Sequence, residues 1–241
     1  MIERQGSVRR FVSGVPLVLV VFLAWSGIAH AEEEGGRSLS LSLETGLYLE
    51  SGSERQRTEI GPLRTRPRYD FAGPLRPDVA IGITSGADRG FAWGGSVLHR
   101  GNWVLREDDG DGRRTYGTLV EWMGLAEYRI APLGPVTVVA GVRGGLVTLF
   151  PGDDLRDRID ELEDQGSSVW SGPRLGVVAG PQVGARYRLA SRLALRADVG
   201  LTWSRVWLQR VSDTAAGVDI RRHAHVNAMR SRMALGLEVS F

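Results

Sequence analysis

The last nine residues of the chain alternate strictly between apolar side chains and small or polar ones. The small or polar set includes Glu238 and Ser240, whereas every residue of the other set is apolar. Because successive side chains of a β-strand point to opposite faces, a period of two separates the two sets. The pattern predicts a terminal strand with one apolar face, formed by Met233, Leu235, Leu237, Val239 and Phe241.

The same alternation recurs along most of residues 32–241 and predicts eight strands. Short turns and longer loops alternate between them, as in barrels whose two termini lie at the same end. We therefore predict an all-β fold, a closed antiparallel up-and-down transmembrane β-barrel. The strands are expected at about 37–50, 69–84, 90–106, 114–131, 136–150, 173–189, 193–208 and 223–241. The long loops are expected at 51–68, 151–172 and 209–222.

The stretch 67–107 leaves one alternative open. Gly73-Pro-Leu-Arg-Pro77 and His99-Arg-Gly-Asn102 both have the composition of turns. Two further turns would divide the predicted strands and give ten shorter ones. The number of strands would stay even, so the barrel architecture would not change.

The amino-terminal segment has the composition of a secretory signal peptide. A cluster of arginines precedes an apolar run over 11–28, which is followed by the small-x-small sequence Ala29-His30-Ala31. A single membrane anchor is the alternative, because the run approaches the length that spans a bilayer. Small and polar residues interrupt the run, however. We expect a signal peptide over 1–31, which leaves an outer-membrane β-barrel domain over 32–241.

Charge composition narrows the classes of partner. The signal segment holds three of the 30 basic residues and one of the 28 acidic residues, so the remaining chain is close to neutral. Nucleic acid is not expected as a partner, because it needs a strongly basic surface. Every basic residue is Arg, which fits contact with lipid phosphates or a compositional bias of the source genome. The absence of Cys fits an exported protein without disulfides.

The faces opposite the apolar ones carry charges of both signs. If the apolar faces contact lipid, these charges line an interior that eight strands make just wide enough for side chains to fill. Because an unpaired buried charge costs several kcal/mol, we predict ion pairs that close the lumen. Inward glycines leave a conducting pore or a narrow cavity as the alternative. The network is expected to contain Glu44, Glu121, Glu127, Arg129, Arg143, Arg186, Arg196, Asp198, Arg232 and Glu238, with Arg188 and Arg230 on the same faces.

Aromatic residues lie near the ends or midpoints of the predicted strands. Those at strand ends fit interfacial belts, where an amphipathic ring lies between lipid and water. A sugar-stacking surface is the alternative. In the strand at 114–131, the alternation also places Tyr116 on the outer face, opposite Glu121 and Glu127. The aromatic set consists of Trp93, Trp103, Trp122, Tyr128, Tyr187, Trp203 and Trp207.

One long loop has a helical pattern. Leu155, Ile159 and Leu162 recur at helical spacing within the acidic segment 153–164. Asp153 or Asp154 is suited to cap the amino-terminal turn of this helix. We expect an amphipathic helical turn that packs over the mouth of the barrel, with docking of an external partner as the alternative.

The chain resembles small outer-membrane β-barrels of the OmpA/OmpX or OmpW type over essentially the whole of 32–241. The resemblance rests on the signal segment, on the strand ends Ala126-Glu-Tyr128-Arg and Gly184-Ala-Arg-Tyr187-Arg, and on Phe241. It implies an outer-membrane location, contact with membrane lipids and lipopolysaccharide, and recognition of Met233–Phe241 by the barrel-assembly machinery. Because such barrels have several activities, the resemblance does not specify a function.

His223 and His225 are the residues closest to a catalytic motif. Outer-membrane lipid A deacylases carry a His-x-Ser-Asn arrangement in which His is the base for Ser. This chain has Asn227 at the Ser position. Ser231 lies about 20 Å from His225 along a strand that rises 3.3 Å per residue. The sequence therefore lacks the one specific match to a lipid hydrolase.

Metal sites receive no better support. No obvious carboxylate or Cys would complete a site with the two histidines, and Arg221 and Arg222 would repel a cation. Asp108-Asp-Gly-Asp-Gly112 lacks the later acidic ligand of a calcium loop and is better explained as a hairpin turn. We expect neither a metal nor a cofactor. The favoured function is a monomeric, non-enzymatic surface or structural barrel, then a small channel or conduit for small or apolar solutes, and third a lipid A-modifying enzyme.

Overall fold

A computed structural model describes residues 38–106, 113–130, 134–164, 169–215 and 218–241. The predicted signal peptide over 1–31 and the predicted turn Asp108–Gly112 lie outside the described residues. In chain order the elements are β1 (Ser38–Ile60), β2 (Leu63–Thr65), β3 (Arg68–Ala72), β4 (Arg76–Gly86), β5 (Gly90–Arg106), β6 (Arg113–Arg129), β7 (Val136–Pro151), α1 (Asp153–Asp164), β8 (Arg174–Arg188), β9 (Leu193–Ala215) and β10 (Val218–Ser240).

Eight strands form a closed antiparallel ring in the described part of the chain. Its order is β1-β4-β5-β6-β7-β8-β9-β10, and β10 pairs with β1 to close it. β2 and β3 pair with the distal part of β1, beyond β4, so 63–86 forms one interrupted section of wall. The eight-strand prediction is confirmed. The ten-strand alternative is wrong, because β3 and β4 share β1 as a neighbour and β5 continues through 99–102.

The strands at the seam of the ring are longer than the sequence predicts. β1 and β10 pair continuously from Ser40 and Ser240 to Ile60 and Ile220. The expected long loops at 51–68 and 209–222 are therefore wrong, since both regions are mostly paired strand. The residues there are mostly polar on both faces, so the sequence has no alternation of apolar and polar residues that would predict a strand. Backbone pairing with the neighbouring strand determines the structure instead.

The outer face of the wall carries apolar side chains and the inner face carries charged ones, as the alternation predicts. Leu43 is 58% exposed on the outside, whereas its neighbour Glu44 is only 9% exposed on the inside. We name the continuous outer zone of exposed apolar residues the apolar belt. On β1, β9 and β10 the belt contains Leu41, Leu43, Leu47, Leu49, Leu195, Val199, Leu201, Trp203, Met229, Met233, Leu235, Leu237, Val239 and Phe241.

Two irregularities change which side chains point inward. The pairing of β5 with β6 shifts register between His99 and Asn102, where Gly101 adopts a φ of 59°. A β-bulge of this kind reverses the alternation beyond it. Trp103 is consequently inside and 1% exposed, so its assignment to an interfacial belt is wrong. A second shift beside Gly117 brings Tyr116 inside, which corrects its predicted outward position.

The helix α1 lies at the end of the barrel opposite the chain terminus Phe241. We name this the helix end and the other the terminal end. Leu155 packs against the buried apolar residues of the barrel interior, and Ile159 and Leu162 pack with Val169 and Val211. The structure thus places the helix over the mouth, as the sequence predicts. No helix in the described residues is long and apolar enough to cross a membrane.

The bulge in β5 provides a test of local geometry. An added Cβ at Gly101 would meet no atom within 4 Å, so the positive φ is the only obstacle to a side chain. Substitution Gly101→Ala should lower the free energy of unfolding by about 1–2 kcal/mol. Denaturant unfolding of the folded protein measures the change.

Gly124→Ala is the matched control. Its Cβ would lie 3.6 Å from the nearest neighbour, the Gly144 carbonyl oxygen, at ordinary contact distance. This substitution should raise stability slightly, by about 0.4–1 kcal/mol, because alanine restricts the unfolded chain. Equal effects of the two substitutions would contradict the assigned bulge.

Candidate functional site

The barrel interior carries a network of charged side chains that joins opposite walls. Strand alternation directs Glu44, Tyr48 and Glu50 inward from β1, and Arg230 and Arg232 inward from β10. β4, β5 and β6 add further charges from the other side of the ring. Because all of these residues come from paired strands, the rigid backbone wall sets their positions.

Glu50 and Glu121 hold one arginine between them. Arg230 donates from Nη2 to a Glu50 carboxylate oxygen at 2.9 Å and from Nη1 to Glu121 at 3.3 Å. Its Nη1 also donates to the Ser204 hydroxyl at 2.6 Å. The Trp103 indole N–H donates to the same Glu50 oxygen at 2.8 Å. This part of the network spans from β1 and β10 to β6.

A second arginine extends the network from Glu121 to the neighbouring wall. Arg100 donates from Nε and Nη2 to the two oxygens of Glu121, at 3.0 and 3.2 Å. Its Nη1 donates to Asp78 at 3.2 Å. The Arg100 guanidinium also lies 4.5 Å from the centre of the Tyr48 ring. The bidentate geometry is the strongest form of a guanidinium–carboxylate pair.

Arg232 completes the path back to β1. Its Nε lies 3.0 Å from both Asp78 carboxylate oxygens, and its Nη1 donates to Glu44 at 2.9 Å. The chain Glu50–Arg230–Glu121–Arg100–Asp78–Arg232–Glu44 therefore runs across the interior and returns. We name it the central network.

A separate cluster lies nearer the terminal end. Arg196 binds Asp198 at 2.6 Å on its own strand and Glu127 on β6 at 2.8 Å. Arg129 binds the same Glu127 at 3.0 Å and donates to the Ala87 carbonyl oxygen. This cluster forms a second bridge between opposite walls.

The rim of the terminal end holds the last charged residues. Arg186 lies 3.1 Å from Glu238 and 3.0 Å from Asp88. Arg188 also pairs with Asp88, at 2.7 Å, but both side chains are about half exposed. Exposed pairs of this kind contribute little to stability, so Arg188 belongs to the rim and not to the interior.

Apolar side chains fill the interior towards the helix end. Leu119, Leu149 and Val206 are fully buried there, and Leu155 of α1 packs against the same cluster. Tyr116 donates to Glu54 at 2.5 Å, which satisfies one oxygen of that buried carboxylate. Above the central network, the lumen is therefore occupied by apolar packing beneath α1.

Little space remains between these groups. A cavity beside Arg143 and Thr202 offers about 10 Å³ to the centre of a water molecule, about enough for one water. The Arg143 Nε and the Thr202 hydroxyl have no hydrogen-bond partner among the described residues. Arg143 interacts electrostatically with Glu44 and Asp198. These unpaired polar groups make the cavity suited to one buried water.

The structure places all ten predicted network residues on the inner side of the wall. Nine of them form the ion pairs described above, whereas Arg143 lies beside the small cavity. The predicted assembly residues Met233, Leu235, Leu237, Val239 and Phe241 all lie on the outer surface.

Sequence reasoning missed five of the acidic and basic participants, namely Glu50, Glu54, Asp78, Arg100 and, in the turn between two predicted strands, Asp88. Glu50 and Asp78 lie within the predicted strands at 37–50 and 69–84 and share the inward parity of Glu44 and Ala80, so the alternation could have identified both. Glu54 lies in the segment predicted as a loop. Arg100 comes just before the reversal and is in phase with Ala92 and Leu98, so the alternation also predicts its inward position.

The network is suited to holding the walls together and poorly suited to catalysis. Guanidinium groups do not release protons in proteins, and each carboxylate of the central network already accepts from arginine. His225 and Ser231 lie on the outer face of β10, and Asn227 accepts a hydrogen bond from Arg205 at 2.8 Å. These residues, which come nearest to the lipid hydrolase motif, thus lie outside the interior network.

Removal of a charge from the centre should be costly. Glu121→Gln leaves Arg100 and Arg230 without a shared counter-charge, and removal of one partner from a buried pair typically costs about 3–5 kcal/mol. Asp70→Asn is the control, because the exposed Arg68–Asp70 pair should contribute at most about 1 kcal/mol. Unfolding free energies of the two variants measure the difference. Similar small losses would contradict a structural role for the network.

Comparison with known proteins gives structural similarities only. No family model and no curated protein matches the chain. Among solved structures, it is similar to Neisserial surface protein A, with 13% identity, a TM-score of 0.39, and coverage of 81% of this chain and 97% of that one. It is also similar to OprG from Pseudomonas aeruginosa, with 15% identity, a TM-score of 0.45, and coverage of 86% and 98%.

Ail, the attachment invasion locus protein of Yersinia pestis, is a third similar structure. Its identity is 9%, its TM-score is 0.41, and the match covers 86% of this chain and 100% of that one. These structural neighbours are small outer-membrane β-barrel proteins, of the architecture to which the sequence shows a resemblance.

Proposed function

We propose that the protein is a monomeric integral outer-membrane barrel with a structural or surface-interaction role. Its lumen is closed by the central network and by the apolar packing beneath α1. The observation that carries the proposal is the wall-to-wall ion-pair chain through Glu121, which is inaccessible to solvent.

The distribution of polarity supports the membrane location. The apolar belt surrounds a barrel whose interior is charged, the inverse of a water-soluble protein. Ring closure satisfies the backbone hydrogen bonds between strands, which a bilayer requires. It also leaves β1 and β10 without a free edge for pairing with another chain, which supports a monomer.

The two ends have different surfaces. The terminal end has short turns, whereas at the helix end β1, β9 and β10 extend beyond the apolar belt as polar strands. We assign the terminal end to the periplasm and the helix end to the cell exterior, following the usual asymmetry of turns and loops. Recognition of Met233–Phe241 by the barrel-assembly machinery is part of this proposal.

A conduit for small apolar solutes is the second candidate. It is favoured by a small cavity beneath α1, of about 20 Å³, which is lined in part by Tyr116, Leu155, Ile159, Leu162 and Leu208. Passage would require α1 to move from the mouth. Reconstituted vesicles that take up an alkane faster than protein-free vesicles would support this candidate over a closed barrel.

Single-channel recording tests closure of the lumen. The purified barrel in a planar bilayer should give no reproducible unitary steps, because charged and apolar side chains fill its interior. Replacing Glu50, Arg100, Glu121 and Arg230 together by Ser removes the bridge without leaving a lone charge, because Asp78 and Glu44 keep Arg232 as their partner. This variant should produce ion leak. Arg188→Ser at the rim is the control and should stay silent. Regular unitary steps from the unaltered protein would exclude the closed-lumen proposal.

An outward substitution tests the membrane location independently. Leu235 lies in the middle of the apolar belt, so Leu235→Arg should lower stability in lipid vesicles by about 2–4 kcal/mol. Ser51→Arg, opposite Met229 at the outer edge of the belt, should cost about 0–1 kcal/mol. Denaturant titration of vesicle-embedded protein compares them. A folded protein that stays soluble without detergent would refute membrane insertion.

A further inference from the structure

A group of cationic side chains lies on the outer surface of the ring closure, immediately beyond the apolar belt at the helix end. Across β1 and β10, Arg55 is opposite His225, and across β10 and β9, His225 is opposite Trp207. One step nearer the belt, Asn227 is opposite Arg205. We name Arg55, Arg205, His225, Asn227 and Trp207 the seam patch.

The structure fixes one of these arginines in place. Arg205 donates from Nε to the Asn227 side-chain oxygen at 2.8 Å, and its guanidinium lies 5.8 Å from the centre of the Trp203 ring. These contacts leave the two terminal nitrogens of Arg205 as donors for another group. Trp203 is itself a belt residue, so the guanidinium lies at the boundary between apolar and polar surface.

The positive charge of the seam patch has no internal counter-charge. Arg57 and Arg64 share Glu59, and Arg68 pairs with Asp70. No ion pair between described residues involves Arg55 or Arg205. Glu54 is adjacent in sequence but buried inside the barrel. Arg57 and Arg64 thus lie farther along the strands and are paired, and Arg68, which is opposite Arg55, is paired with Asp70. Arg55 and Arg205 differ from them in having no ion pair within the described part of the chain.

The pKa of His225 reflects the same excess of positive charge. Burial lowers its pKa below the ordinary histidine value, and the positive charges of Arg205 and Arg55 lower it further. The groups around it are Asn227 and His223 on β10, Arg55 and Arg57 on β1, and Arg205 and Trp207 on β9. Among these described neighbours there is no carboxylate, so an anion would be stabilised beside the imidazole.

We propose that the seam patch binds a phosphate group of an outer-leaflet glycolipid of the lipopolysaccharide type. Arg55 and Arg205 supply planar guanidinium donors, which suit phosphate oxygens. Met229, Leu201 and Trp203 lie next to the patch on the outer surface and would contact the acyl chains. The patch faces sideways at the belt edge, where a lipid headgroup would lie, and the inference rests on the outer-membrane location proposed above.

Lipid binding to the folded barrel in neutral detergent micelles tests the proposal. Native mass spectrometry would measure affinity for bisphosphorylated lipid A, for lipid A without phosphates, and for inorganic phosphate. The double variant Arg55→Gln, Arg205→Gln should lose about tenfold or more in affinity for the phosphorylated lipid, because two charge-assisted contacts are removed. Lipid A without phosphates should bind both proteins weakly and equally.

The control is the double variant Arg57→Gln, Arg64→Gln. It removes the same amount of charge from two arginines that share Glu59 as their partner and lie farther from the belt than Arg55. Its affinity for phosphorylated lipid A should stay within about twofold of the unaltered protein. Equal losses of affinity in the two double variants would show that the total charge determines binding, and not the seam patch, and would overturn the proposal. Inorganic phosphate that competes at the concentrations of the lipid would also overturn it, since the site would then take free phosphate.

Histidine NMR titration gives a second readout. Binding of phosphorylated lipid A should raise the pKa of His225, because a neighbouring negative charge favours the imidazolium form. An unchanged His225 pKa at saturating lipid would place the lipid elsewhere. Failure of the membrane location would show separately, as a folded protein soluble without detergent, so the two failures are distinguishable.

Discussion

The structure depends on the pairing of charges that the barrel encloses. Glu121 lies between Arg100 and Arg230 with no exposure to solvent, and either arginine alone in that position would be costly to bury. Because the partners come from β5, β6 and β10, their mutual neutralisation fixes the distance between opposite walls. The network therefore stabilises the barrel from inside, because the apolar residues of the belt face outward and do not pack into a core.

Apolar residues complete the interior where the charges end. Towards the helix end, Leu119, Leu149 and Val206 pack beneath α1, and the helix contributes Leu155 to the same cluster. The molecule thus divides along its axis into a charged section and an apolar section. Both sections place side chains in the lumen, but only the charged section connects the walls by directional bonds, which makes it the more specific of the two.

The sequence predicts the wall of the barrel well and its irregularities poorly. Strict alternation identifies the inward position of Glu44 and the outward position of Leu43, and it identifies the strand at 193–208. The same rule fails at Trp103 and Tyr116, because a single extra residue beside Gly101 or Gly117 reverses it. It also misses the outer parts of β1 and β10, where polar residues on both faces carry no periodic signal. Arg100, by contrast, is in phase with Ala92 and Leu98, so the alternation predicts its inward position although the bulge follows it directly.

The closure of the ring has a kinetic consequence. Arg230 and Glu50 are 180 positions apart in the chain, and Arg232 and Glu44 are 188 apart. Contacts of such high sequence separation form slowly, since a long loop must close before they contribute. Arg100 can pair with Asp78 and Glu121 earlier, because they are only 22 and 21 positions away in the chain. The links through Arg230 and Arg232 can form only when the first and last strands have met, so they stabilise the closed barrel and not its partly assembled forms.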